Sequence, residues 1–256
     1  VKNEEIIAQY HWLKSEGLKI CYYFARPING GPCPLILLNH GGGGMDSYYQ
    51  YMAKFLAVKG YAVAVMVFRG FPPSEGRQEY GNGEIRDLIN LINHLQKDPS
   101  VDGQYIGALG NSRGGLKSLL LACAYKPLRF VAAWSAPVEM FRHYELHQRL
   151  LEATIGGDPQ SCWGDYMERS VIYQVDKIEC PVLLVHGQED LVVPVWHARS
   201  MLSALQEKDK QVDLIILEEE GHNFSQDGLT TALCHTLDFL EKNIKKEQRG
   251  EIGDGY

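Results

Sequence analysis

The chain has no run of about 18 apolar residues, so nothing in it reads as a membrane-spanning helix. Its opening, Val1-Lys2-Asn3-Glu4-Glu5, lacks the apolar stretch of a signal peptide. Both absences set the expectation of a cytoplasmic protein without a membrane partner, while the start at Val leaves export open. Basic residues are in short supply: 25 Lys and Arg against 32 Asp and Glu give a net charge of −7. That balance argues against a nucleic-acid partner, because phosphate neutralisation needs clustered cations. The six cysteines form no C-x-x-C pair, and reduced thiols packed as small hydrophobes are expected. No Lys-Ser or Lys-Thr follows the glycine run at 41–44, and no G-x-G-x-x-G spacing occurs, so a phosphate-cradling nucleotide loop is excluded.

What is present is an ordinary globular composition, 45% hydrophobic and 22% charged over 256 residues. It suits one α/β domain, expected over residues 1–245, with a flexible polar tail at 246–256. Ile6 to Leu13 and Leu18 to Ala25 read as a hairpin around Ser15-Glu16-Gly17. Apolar runs follow at Leu35 to Leu38, Tyr61 to Phe68, Tyr105 to Leu109, Phe130 to Trp134 and Pro181 to Val185, the pattern of strands covered on both faces, and Val212 to Leu217 reads as a further strand. Helical patterns fill the gaps, among them Glu84 to Gln96 and a long one from Phe224 to Ile244. Alternation of this kind predicts a mostly parallel, doubly wound sheet with an antiparallel hairpin at its start. Residues 138–179 lack strand character. They are expected to form a short helical cap over the mouth of a site, with Phe141, Trp163, Tyr166 and Met167 as candidate lining.

Chemistry gathers at Gly110-Asn111-Ser112-Arg113-Gly114-Gly115, where a strand runs into a helix. A serine at the point of so tight a turn is driven toward positive φ and needs nearly side-chain-free neighbours two residues away on each side. Such a hydroxyl requires an imidazole to take its proton and a carboxylate to orient the imidazole. Asp190 and His222 follow in the order serine, acid, histidine, each in a loop after an apolar strand; Glu189 is the competing acid. The amides of Gly41 and Gly42, with that of Arg113, are the candidate oxyanion donors. His143 and His147 are four apart, as in a zinc helix, but Glu145 is off their face, and no metal or other cofactor is expected.

His40-Gly41-Gly42, Arg69-Gly70, Gly110-x-Ser112-x-Gly114-Gly115, His186-Gly187-x-x-Asp190-x-x-Val193-Pro194 and Gly221-His222 recur in this order. With them the chain resembles the catalytic domain of the prolyl oligopeptidase family in the α/β-hydrolase superfamily, from about Leu35 to Phe224. The resemblance implies Ser112 as nucleophile, Asp190 as acid and His222 as base. Family peptidases often carry a tyrosine where His40 stands and a large propeller ahead of the hydrolase domain. The stretch before Leu35 is too short for one propeller blade. The stand-alone domain is found among esterases and dienelactone-hydrolase-like enzymes. The expectation is therefore a serine hydrolase of small carboxylic esters, with a peptidase or amidase on short peptides as the alternative and a ligand-binding protein without turnover as the rival from another class. The sequence leaves a homo-oligomer open.

Overall fold

The computed structural model describes residues 5–29 and 31–250 of the chain. β1 (Ile6–Ser15) and β2 (Leu18–Pro27) form the expected hairpin and pair antiparallel from Ile6 opposite Pro27 to Ser15 opposite Leu18. β2 in turn lies antiparallel to β4 (Ala62–Met66). Beyond β4 every pairing is parallel: β3 (Cys33–Asn39), β5 (Val101–Asn111), β6 (Phe130–Trp134), β7 (Val182–Gly187) and β8 (Val212–Leu217). The strand order is β1-β2-β4-β3-β5-β6-β7-β8.

The side-chain period of two divides the core between the faces of this sheet. Leu35 and Leu37 point into one cluster, and Ile36 and Leu38 into the other. The first is covered by α2 (Asn82–Leu95), α3 (Arg113–Ala124) and α6 (Trp196–Gln206), through Leu88, Leu119 and Met201. The second is covered by α1 (Ser47–Val58) and α7 (Gln226–Gly250), through Met52, Leu56, Phe239 and Leu240. β4, β6 and β7 are buried along their whole lengths, which is why they read as unbroken apolar runs.

Some boundaries differ from expectation for local reasons. β5 begins at Val101 instead of 105, because Cys33 and Pro34 pair with Val101 and Asp102 before the register jumps to Leu35 opposite Ile106. The polar bulge at Gly103 and Gln104 hides that first stretch in the sequence. β4 stops at Met66, and the Phe68 amide donates to His40 Nε2 instead of to a strand. α7 runs on to Gly250, past the expected end at Ile244. Residues 251–256 of the expected flexible tail lie outside the described residues.

The insert at 138–179 is helical, as expected: α4 (Met140–Ile155), α5 (Trp163–Arg169) and a 3₁₀ segment, Val171–Lys177. Only α4 reaches the mouth of the site. Tyr166 and Val171 are completely buried in the core cluster on the α3 face. Phe141 packs against Trp163 at 4.4 Å and against Tyr166 at 5.7 Å between ring centroids, so these aromatics fasten α4 to α5 instead of lining the cavity.

A buried cation fixes the loop that leads to α2. Arg69, 4% exposed, donates to both oxygens of the Asp87 carboxylate at 2.7 and 2.8 Å, to Glu16 at 2.8 Å and to Glu79 at 3.0 Å. Asp87 also accepts from Ser15 Oγ, which ties the hairpin tip to α2. This hub sets the course of residues 70–81, which carry Gln78 and Tyr80 to the site.

Candidate active site

β5 delivers the backbone to Ser112, which takes φ 53° and ψ −126° before α3 begins. Only bare glycines fit around it. A Cβ on Gly110 would meet the Gly114 carbonyl oxygen at 2.4 Å, and one on Gly114 would meet the Asn39 carbonyl oxygen at 2.0 Å. The Ser112 amide is held by the Trp134 carbonyl at 2.7 Å, so the turn is braced against β6.

Two loops at the carboxyl ends of β7 and β8 bring in the partners. They are tied together by the amides of Gln188 and Glu189, which donate to Leu217 and Glu220 at 2.9 Å each. Asp190, 3% exposed, accepts the Val192 and Val193 amides through Oδ1 at 2.9 and 2.7 Å. Its Oδ2 faces His222 Nδ1 at 2.8 Å, and His222 Nε2 faces Ser112 Oγ at 3.0 Å. Because a carboxylate only accepts, Nδ1 carries the proton and Nε2 offers a lone pair to the serine hydroxyl. Burial alone would raise the Asp190 carboxyl, but hydrogen bonds from His186, His222 and the Val193 amide outweigh it and hold the group below the usual carboxylate range. His186 Nε2 shares its proton between the Val193 carbonyl at 2.7 Å and Asp190 Oδ2 at 3.4 Å. Glu189, the competing acid, is exposed.

The glycine loop after β3 is held by side chains that motif spacing does not mark. His40, completely buried, donates from Nδ1 to the Gly41 carbonyl at 2.8 Å, and burial pushes its pKa down to about 3. The Gly41 amide, expected as an oxyanion donor, instead donates to Tyr49 Oη at 2.7 Å, and Tyr49 donates onward to Asn111 Oδ1. Burial pushes the Tyr49 phenol up to about 12, so it keeps its proton. Asp46 caps α1 by accepting the Tyr48 and Tyr49 amides at 2.9 and 3.3 Å, which places the Tyr49 ring under the loop. The Gly42 carbonyl accepts from Arg113 Nη2 at 2.9 Å. At the start of α3 the Arg113 amide has no carbonyl one turn behind it to bond.

These groups open into a cavity of about 530 Å³ whose walls include His143, His147 and Leu150 of α4, Val193, Tyr48 and Phe224. His143 Nε2 lies 3.2 Å from Tyr80 Oη, and burial pushes its pKa down to about 3. His147 Nε2 donates to the Val192 carbonyl at 2.8 Å. The pair thus forms wall, with one ring nitrogen directed at Tyr80 and one at backbone.

The family model described as the prolyl oligopeptidase family matches residues 47–247. The chain belongs to the prolyl oligopeptidase family. This family member is 30% identical over 218 residues to the uncharacterized peptidase YtmA of Bacillus subtilis, covering 82% of this chain and 84% of YtmA. It is 28% identical to dipeptidyl aminopeptidase BIII of Pseudoxanthomonas mexicana over 76% of this chain, but spans only 31% of that relative. Among solved structures, the Pyrococcus horikoshii acylaminoacyl peptidase superposes with a TM-score of 0.86 at 22% identity, over 96% of this chain and 43% of that one. A putative dienelactone hydrolase from Klebsiella pneumoniae superposes at 0.75 with 16% identity, over 92% and 98%. The fold is that of the α/β-hydrolases, and this prolyl oligopeptidase family member is a serine hydrolase. Its glycine loop at 41–44 lies ahead of the matched residues.

Proposed function

We propose that this hydrolase is a serine peptidase acting on short peptides through an acyl-enzyme on Ser112. The observation that carries the reading is the relay from Ser112 Oγ through His222 to Asp190, at 3.0 and 2.8 Å, opening into the cavity. His222 Nε2 takes the hydroxyl proton as Ser112 attacks the scissile carbonyl, and Asp190 steadies the imidazolium that results. Charge on the former carbonyl oxygen is met by the amides of Gly42 and Arg113, while the Gly41 amide secures the loop through Tyr49. His222 then returns the proton to the leaving amine, and water deacylates the serine by the same route.

Peptides are favoured over the small-acid esters expected from the sequence. The ester reading leaned on the shortness of the stretch before Leu35. YtmA, which bears a peptidase name, is matched over 84% of its own length, so a chain of about this size is no argument against peptide cleavage. The decisive experiment compares N-blocked aminoacyl and dipeptidyl p-nitroanilides with acetyl and butyryl p-nitrophenyl esters on one preparation, with Ser112→Ala as background. Lengthening the acyl part from one residue to two is expected to raise kcat/KM at least about tenfold, since remote binding energy is what positions an amide. Turnover of the short esters with no measurable anilide cleavage returns the esterase.

A further inference from the structure

Arg113 stands directly after the nucleophile, and its side chain turns back across the site. Nη2 donates to the Gly42 carbonyl at 2.9 Å and Nη1 to Gln78 Oε1 at 2.9 Å. Phe71 and Tyr80 flank the guanidinium, with ring centroids 5.8 and 5.5 Å from its carbon. A Cβ built on Gly42 would sit 2.3 Å from Nη2, so the guanidinium occupies the space that a side chain of residue 42 would take.

In a trans peptide the carbonyl and the amide hydrogen point in opposite directions. His40 holds the carbonyl of the Gly41–Gly42 peptide and thereby aims the Gly42 amide away from itself. Arg113 holds the carbonyl of the next peptide. Both planes flanking the Gly42 Cα are fixed, at the residue with the greatest backbone freedom. We propose that the Arg113 side chain is a positioning residue for the oxyanion hole: it locks Gly42, while the backbone of the same residue supplies the second donor. One residue then sets the spacing between the two amides. A lysine cannot replace it, because only a planar fork reaches Gly42 and Gln78 together while lying between two aromatic faces.

The inference rests on the acyl-enzyme reading of Ser112, and the test separates the two. Arg113→Met and Arg113→Lys keep the backbone amide and remove the fork. Both are assayed with whichever p-nitroanilide or p-nitrophenyl ester the wild type cleaves faster, per site titrated with a fluorophosphonate. Affinities are measured for a peptide aldehyde, whose adduct places an oxyanion, and for the matching alcohol, which forms none. Arg113→Met is expected to lower kcat by at least about thirtyfold with KM within threefold, a loss comparable to that of an oxyanion donor. Aldehyde affinity should fall by a similar factor and alcohol affinity should hold. Arg113→Lys should recover less than a tenth of the lost rate. Gln78→Ala, which frees only Nη1, should show a smaller loss with the same signature and serves if Arg113→Met does not fold. Wild-type kcat per titrated site in the Met variant, full rescue by Lys, or a loss carried by KM overturns the inference. A wild type that the fluorophosphonate does not label overturns the Ser112 reading, and this inference with it.

Discussion

Ser112 holds a left-handed φ of 53° that its own side chain disfavours, and the surrounding backbone enforces it. Replacing its hydroxyl should therefore leave the fold intact. Ser112→Ala is expected to lower kcat by about 10⁴-fold or more and to abolish fluorophosphonate labelling, with an unchanged unfolding transition. Labelling at another serine would remove Ser112 from its role. Tyr49 is the residue that sequence reasoning missed at this scale, since nothing in Tyr48-Tyr49 distinguishes a loop support from packing. Its hydroxyl satisfies the Gly41 amide and is satisfied by Asn111. Tyr49→Phe leaves the Gly41 amide without that partner and should lower kcat roughly tenfold while sparing KM, as steady-state kinetics on the best substrate will show.

At the scale of elements, the strands were legible because burial on both faces demands unbroken apolar runs, and the meeting of Ser112, Asp190 and His222 was legible because their order follows the order of strand ends. The cap was less so. His143 and His147, whose spacing carried no assignment, form wall of the cavity, whereas aromatics that suggested a pocket fasten α4 to α5. Periodicity reports which residues are buried and says nothing about whether core or cavity lies against them. Charge pairing was invisible for a related reason: Arg69 and Asp87 are 18 residues apart, and only folding brings hairpin, loop and helix together. Asp87→Asn strips the counter-charge from a buried guanidinium and should destabilise the protein by about 3–5 kcal/mol, measured by urea denaturation. If the loss stays below about 1 kcal/mol, Glu16 and Glu79 alone suffice for Arg69.

At the scale of the whole molecule, three histidines are stored neutral. Burial pushes His40 and His143 down to about 3 and His197 down to about 2. In the unfolded chain each takes up a proton near pH 6.5, so below that pH the unfolded state binds more protons and stability falls as pH falls. Each group should cost about 2 kcal/mol between pH 7 and pH 5, and together they approach the whole stability of an ordinary domain. Denaturant midpoints should drop steeply over that window, and His197→Gln should flatten the dependence by about a third. A flat profile would mean that these rings protonate in the folded state.

The hydrogen bond between Ser112 and His222 spans 110 residues of sequence, and the histidine follows β8, an edge strand of the sheet and the last in sequence. On a ribosome adding about 5–20 residues per second, Ser112 precedes His222 by roughly 5 to 20 seconds. A hydrolase emerging beside other unfolded chains is thereby harmless to them for most of its own synthesis. Stalled nascent chains that end before residue 212 should resist fluorophosphonate, and reactivity should appear only once the segment beyond β8 has cleared the exit tunnel.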